Sequence, residues 1–329
     1  MKKWPIAQRL AALAVLSLLF VICPALAQSG KYPNKVIRWV VPFPASGGAD
    51  VVARPIALAM GEMFGQPIVY DNRGGGGGLI AGEIVAKAAP DGYTLLVGSP
   101  PTLTVNQSLY AQMPFDANRD FAPITRFANI PNILCAHLSL PARNVRELID
   151  YAKANPGKVN WASSGMGTGG HLAVELMQMR TGIKVVHVAY KGAAPALVGL
   201  IGGNVQLLLA GPGVFMQHIK AGRVRAIAAG SLQRISILPD LPTLHESGLP
   251  GMESGSWHGL VAPTGTPATI IKLLHSATVQ ILNRPDTASR LAADGAIASG
   301  VAPDQFAKDI RSEAQMWARV IKQAGVTLD

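Results

Sequence analysis

Cysteine is nearly absent from this chain. Of its two cysteines, Cys23 lies in an apolar leader and only Cys135 remains beyond it, so no intramolecular disulfide can form and stability must come from a core. Long apolar runs are missing as well, apart from residues 10–22. That run falls short of the ~20 residues that span a bilayer. Lys2, Lys3 and Arg9 before it and Ala25-Leu26-Ala27 after it complete the pattern of an export signal over residues 1–27, cleaved after Ala27. Phe20-Val21-Ile22 lacks the small residue that lipid-attachment signals place before the cysteine, and cleavage after Ala27 discards Cys23. A soluble periplasmic protein is therefore expected.

Acidic residues are scarce. The chain has 19 Asp and Glu against 29 Lys and Arg, a formal net charge of +10 that falls to +7 when the leader and its three basic residues are removed. Residues 176–239 contain no carboxylate but carry Arg180, Lys184, Lys191, Lys220, Arg223, Arg225 and Arg234. Such an excess is either an ordinary solvated surface or a means of steering an anion, and Lys191 is the best placed for steering because it lies between a strand and a helix. Nucleic acid is excluded as a partner, because the chain has no Lys/Arg run and no aromatic residues interleaved with basic ones.

The signatures of catalysis are also missing. The chain contains no G-x-S-x-G and no H-E-x-x-H, and His137, His171, His187, His218, His245, His258 and His275 are scattered without metal-ligand spacing. Ser163 or Ser164 with His171 could supply a nucleophile and a base, but a hydroxyl in a helix N-terminal turn more commonly caps the helix or binds an anion. The chain reads as a non-enzyme, with no metal and no cofactor.

What the chain does have is a repeated alternation of strand and helix. Strand-like runs at 36–41, 67–70 and 93–97 enclose helical patterns at 48–64 and after Gly78, and the alternation restarts after Pro141 with strands at 159–162, 184–188 and 205–209. Two consecutive α/β units of mostly parallel sheet flanked by helices follow from this. Extended stretches at 121–137 and 224–229 carry the chain across and back, making a hinge of two crossing strands. The expected division is 28–125 with 230–329 in one lobe and 126–229 in the other. About 300 mature residues suit two lobes better than one core.

Two glycine-rich turns lead from a strand into a helix. Pro44-Ala45-Ser46-Gly47-Gly48-Ala49-Asp50 follows the first strand, and Ser163-Ser164-Gly165-Met166-Gly167-Thr168-Gly169-Gly170-His171 follows the strand at 159–162. Each offers unpaired backbone N–H groups and the positive end of a helix dipole to an anion. Asp50, a few residues into its helix, can order its loop by accepting the loop's N–H groups; His171 is assigned the matching loop-ordering place in the second turn. Gly165, Gly167 and Gly170 spell G-x-G-x-x-G, yet the acid that would hold a ribose ~20 residues later is missing. Gly74 to Gly78 resemble a phosphate loop, but no Lys-Ser/Thr follows and a structural turn is the better reading. Tyr190, Trp161 and Trp257 read as packing residues that could also wall a cleft.

Together these motifs resemble the extracytoplasmic solute receptors of tripartite tricarboxylate transporters, also called Bug or TctC-like receptors. The likeness rests on Tyr32-Pro33, Pro42-Phe43, Gly47-Gly48-Ala49-Asp50, Ala53-Arg54, Asn72-Arg73, Pro90-Asp91-Gly92-Tyr93 and Asp120-Phe121-Ala122-Pro123. It continues through the Ser163-to-His171 turn, Tyr190-Lys191-Gly192, and Gly259-Leu260-Val261-Ala262-Pro263 with Gly265-Thr266-Pro267. The resemblance implies a two-lobed periplasmic binding protein of type II-like fold, a monomer that captures a small carboxylate and delivers it to membrane permease subunits. A receptor feeding a signalling sensor is the alternative, and a serine hydrolase using Ser163 or Ser164 a more distant one. The ligand-binding residues it implies are Ala45, Ser46 and Gly47 in the first turn, Ser163, Gly165 and Thr168 in the second, Tyr190 and Lys191 in a third loop, and Ser99 and Asn106.

Two positions depart from the family pattern. Ser46 stands where glycine is common, adding a hydroxyl donor. Gln206 and Ala210 replace two acidic residues, and losing carboxylates near the cleft would weaken recognition of an amino group. An amine-free carboxylate is the expected ligand.

Overall fold

The computed structural model describes residues 32–43, 48–166 and 168–325. The export signal with its site at Ala27, the first-turn residues Ala45, Ser46 and Gly47, and Gly167 lie outside them.

The first half forms parallel strands β1 (Ile37–Val41), β2 (Ile68–Asn72) and β3 (Thr94–Gly98), linked by α1 (Gly48–Phe64) and α2 (Leu79–Ala86). Ile37, Trp39, Val40 and Val41 are all buried, as expected of a strand covered on both faces. After a π-turn at Pro101–Val105 and the short α3 (Asn106–Leu109), the long β4 (Phe121–Pro131) leads to β5 (Ile133–Ala136). The second unit then runs α4 (Val145–Ala154), β6 (Asn160–Ser163), α5 (Gly169–Thr181), β7 (Val186–Ala189), α6 (Ala193–Ile201), β8 (Leu207–Ala210), α7 (Pro212–Lys220) and β9 (Arg225–Ala229). The chain ends with β10 (Gly255–Pro263), α8 (Ala268–Leu282), α9 (Pro285–Ala293), β11 (Ile297–Ala298) and α10 (Pro303–Ala324).

Two sheets result, ordered β11-β4-β10-β3-β1-β2 and β7-β6-β8-β5-β9. The α/β class and the two-lobed arrangement agree with the expectation, but the sheets are mixed, not mostly parallel. The βαβ units supply parallel pairs, while β4, β5, β9 and β10 pair antiparallel. The physical reason is the crossing itself: a chain that leaves one sheet through β4 and returns through β10 lays the two strands side by side in opposite directions.

The crossing is held by backbone. Asn132 N–H donates to the Ser254 carbonyl at 2.8 Å, Gly230 N–H to the Asn132 carbonyl at 2.8 Å, and Ser254 N–H to the Gly230 carbonyl at 2.9 Å. The three segments approach so closely that a Cβ on Gly230 would lie 2.3 Å from the Ser254 carbonyl oxygen. Glycine is there for lack of room. Beyond Gly230 the chain stays with the second sheet for some distance: Thr243 bridges Ala229, and Leu244, Leu249 and Met252 join the core around Trp161, Leu172 and Leu207.

Helix α10 serves both sheets. Phe306 and Ile310 pack with Val40 and Leu96 of the first, whereas Trp317, Val320 and Ile321 pack with Leu172 and Met177 of the second unit. Residues 35–329 accordingly form one unit by contact. Cys135 is free and buried in β5. Among the described residues, no helix is long and apolar enough to cross a membrane.

Candidate functional site

The parallel strands β6, β7 and β8 end at Ser163, Ala189 and Ala210. Open α/β sheets bind ligands beyond such carboxyl ends. Ser163 is fully buried, and its hydroxyl accepts the Gly165 N–H at 3.2 Å, donates to the Gly165 carbonyl at 2.9 Å and lies 2.7 Å from His187 Nε2. Thr168 caps α5, its hydroxyl accepting the His171 N–H at 3.5 Å while donating to the same Gly165 carbonyl at 2.7 Å. Gly170 lets α5 sit close to the sheet, since a Cβ there would lie 3.0 Å from the Leu209 carbonyl oxygen.

The neighbouring loop is tied to this turn through its backbone. Tyr190 N–H donates to the Ser163 carbonyl at 3.0 Å, and Gly192 N–H to the Ser164 carbonyl at 3.0 Å. Ser163, Gly165, Thr168, Tyr190 and Lys191 are thus brought to one corner. The Tyr190 phenol lies against Gly199 of α6, and the Lys191 side chain is exposed.

His171 is buried beneath the corner, with its ring stacked on that of His187 at 4.0 Å between centroids and 13° between planes. Its Nε2 is 3.7 Å from Glu175 Oε1. Burial, and then the adjacent His187, push His171 down to about 4, and burial also lowers His187. Both imidazoles are therefore neutral at neutral pH, so neither adds positive charge beneath the turn. The positive potential of this corner comes from backbone N–H groups, the α5 dipole and the exposed Lys191.

On the first sheet, Asp50 accepts from Arg54 at 2.8 Å and from Asn72 Nδ2 at 3.2 Å, and Asn72 Nδ2 also donates to the Phe43 carbonyl at 2.9 Å. Asn72 thereby connects the two ends that flank residues 44–47. Ser99 is buried, its N–H donating to Thr102 Oγ1 at 2.9 Å, and Asn106 donates to the Gly77 carbonyl at 3.0 Å. These two residues brace the first sheet's turns and the glycine loop; among the described residues they are not hydrogen-bonded to the Ser163 turn. That loop has φ values of 122, 55, 62 and 97° at Gly75 to Gly78.

Two histidines enter that the sequence did not single out. His187 is joined to Ser163, where the sequence suggested His171 as the base. His258 on β10 is 3% exposed, is stacked on Phe127 at 6.5 Å between centroids, meets Phe43 in a T-shaped contact at 6.2 Å, and has no hydrogen-bond partner for Nδ1 among the described residues. Its only trace in the sequence is its place directly before Gly259-Leu260-Val261. Among the described residues, no group of His, Cys, Asp and Glu could hold a metal ion.

One sequence inference needs correction. Gln206 is not near the cleft. It sits at the amino end of β8, where its Oε1 accepts the Asn160 N–H at 2.9 Å, and at ~3.3 Å per residue it lies ~13 Å along the strand from Ala210. Of the two positions, only Ala210 is at the carboxyl end of β8.

The family model described as "Tripartite tricarboxylate transporter family receptor" matches residues 52–326. Protein BugT of Bordetella pertussis is 37% identical over 298 residues, covering 90% of this chain and 91% of BugT. An R. palustris protein solved with adipate superposes with a TM-score of 0.75 at 36% identity, covering 90% of this chain and 99% of that one. MatC from Rhodopseudomonas palustris, solved with bound malate, superposes with a TM-score of 0.71 at 32% identity, covering 88% of this chain and all 100% of MatC.

Proposed function

The chain belongs to the tripartite tricarboxylate transporter receptor family, and we propose that it is an exported periplasmic receptor that closes on a small amine-free carboxylate and hands it to membrane permease subunits. The observation that carries this reading is the Ser163–Thr168 turn: a fully buried strand end, a capped helix N-terminus and, among the described residues, no buried Lys or Arg beneath it. Such a corner holds an anion through backbone donors and orients it without a competing side-chain charge. The adipate and malate bound by the two solved relatives support the amine-free class.

The opposing grip comes from the first turn, with Ala45, Ser46 and Gly47 as donors and Asp50 as the residue that orders the loop. The hinge lies where β4 passes into β5 at Asn132, a few residues after the expected boundary at 125/126, and where the chain returns through Ser254, about 25 residues after the expected boundary at 229/230. Ligand favours the closed state because only there do both turns reach it.

The test is calorimetric titration with adipate, malate, citrate, benzoate, aspartate and glutamate. Saturable binding of an amine-free acid is expected, with Thr168→Leu weakening it about tenfold by removing the cap that orders the α5 N-terminus. Tighter binding of aspartate or glutamate than of every amine-free acid would refute the ligand class. Undiminished affinity in Thr168→Leu would move the site elsewhere.

The Ser163–His187 contact at 2.7 Å gives the hydrolase reading its one specific support. In its favour is a base within reach of a hydroxyl; against it, the same hydroxyl is already engaged by both the N–H and the carbonyl of Gly165. Covalent labelling of Ser163 by a fluorophosphonate probe would establish that reading.

A further inference from the structure

A cavity of about 580 Å3 lies beside the hinge, walled by the crossing strands, the segments before β10, α5 and α10. Of the Ser163-to-His171 turn it includes Gly169 alone, and not Ser163, Gly165, Thr168, Tyr190 or Lys191. Its volume is that of a small-molecule site, and its lining has a definite chemistry. Two indoles, Trp257 and Trp317, line it, and both donate their N–H groups to Glu313, at 2.7 and 3.0 Å.

Three carboxylates line the cavity, Glu253, Asp309 and Glu313, against one cation, Arg126. Arg126 is paired with Asp309 at 3.3 Å. Glu313 is satisfied by neutral donors only. Glu253 has no hydrogen bond and no ion pair within 4 Å among the described residues, though Arg126 and His245 act on it electrostatically. Burial raises both Glu253 and Glu313 above their ordinary range. Burial disfavours the charge on these two carboxyls and a bound cation would restore it, in a lining that sets three carboxyl groups against one guanidinium beside aromatic surfaces of the kind that favour cations. Arg126 Nε, buried without an acceptor among the described residues, adds one donor for a polar atom on a ligand's body.

We propose that this hinge cavity binds a small organic cation, a primary ammonium group on a compact apolar body, at a site separate from the carboxylate cleft. The ammonium is held by Glu253 and Glu313, and the apolar body lies along Trp257 and Trp317. Because the walls come from elements of both sheets, an occupant contacts both sides of the hinge and couples to its opening.

The probe is 2-phenylethylamine, titrated calorimetrically into the full chain beside its neutral isostere 2-phenylethanol and its anionic counterpart 3-phenylpropionate. The amine should bind saturably and the other two should not bind at this site. Glu253→Gln should weaken the amine about tenfold, the scale of a lost charge-assisted hydrogen bond. Leu232→Lys, which places a cation at the exposed rim of the cavity, should abolish binding without disturbing the core. Thr168→Leu should leave amine binding unchanged. Equal binding of amine and alcohol, or wild-type amine affinity in both Glu253→Gln and Leu232→Lys, would overturn the proposal. So would amine binding that is lost in Thr168→Leu and kept in Glu253→Gln, which would place the amine in the carboxylate cleft.

Discussion

Acid should destabilise this protein through His258. The imidazole is 3% exposed between Phe43 and Phe127, and burial pushes it from 6.5 down to about 4. Between those two values the unfolded chain binds a proton that the folded chain refuses, so stability falls as pH drops through the window. One such group contributes a loss of about 2 kcal/mol between pH 7 and pH 5. His171, lowered to about 4 by burial and by His187, adds a similar amount, and together they remove about 4 kcal/mol from a native stability of order 5–15 kcal/mol. The assay is urea unfolding at pH 7, 6 and 5, comparing wild type with His258→Phe. Phenylalanine matches the aromatic surroundings and cannot titrate, so the variant should lose about 2 kcal/mol less over the range. An unchanged pH dependence in His258→Phe would refute the reasoning, because it would mean that the imidazole meets enough water to charge without unfolding.

Two further outcomes test the packing. Gly78 has φ 97°, and a Cβ there would lie 2.2 Å from Thr102 Cγ2, so Gly78→Ala should destabilise by about 2–4 kcal/mol through left-handed strain and overpacking; a thermal midpoint within error of wild type would contradict this. Cys135 is buried and its thiol is raised by burial, so an aromatic disulfide reagent should label it only after unfolding, and native-state labelling at the rate of a free thiol would contradict its placement.

The fold was legible where hydrophobic period and turn chemistry agreed. The runs around Val40, Leu95 and Trp161 are buried strands, and the glycines of the 74–78 loop do supply positive φ. Strand direction was less legible. Nothing in the pattern of Phe121 to Pro131 distinguishes a strand that pairs antiparallel with β10 from one that continues a parallel sheet, because periodicity reports which face is buried and carries no information about the neighbour. Helix α10 shows the same limit. Its apolar stripe is evident, but that Phe306 serves one core and Trp317 another depends on where a helix of 22 residues ends up lying.

The site divides along a similar line. Residues joined by local backbone geometry were found together: Thr168 caps the helix it precedes, and Ser163 closes a turn on Gly165. Partners contributed by other strands were not. His187 reaches Ser163 only because β7 pairs beside β6, with Trp161 opposite His187, a register that sequence does not display. Gln206 failed for the converse reason. Four residues from Ala210 looks close in a sequence motif, but an extended strand turns four residues into ~13 Å and carries the residue to the opposite end of the strand. At an α/β cleft, therefore, a substitution bears on the ligand only when it falls at the carboxyl end of its strand, and by that criterion Ala210, not Gln206, is the position at which an acidic replacement should open this receptor to amino acids.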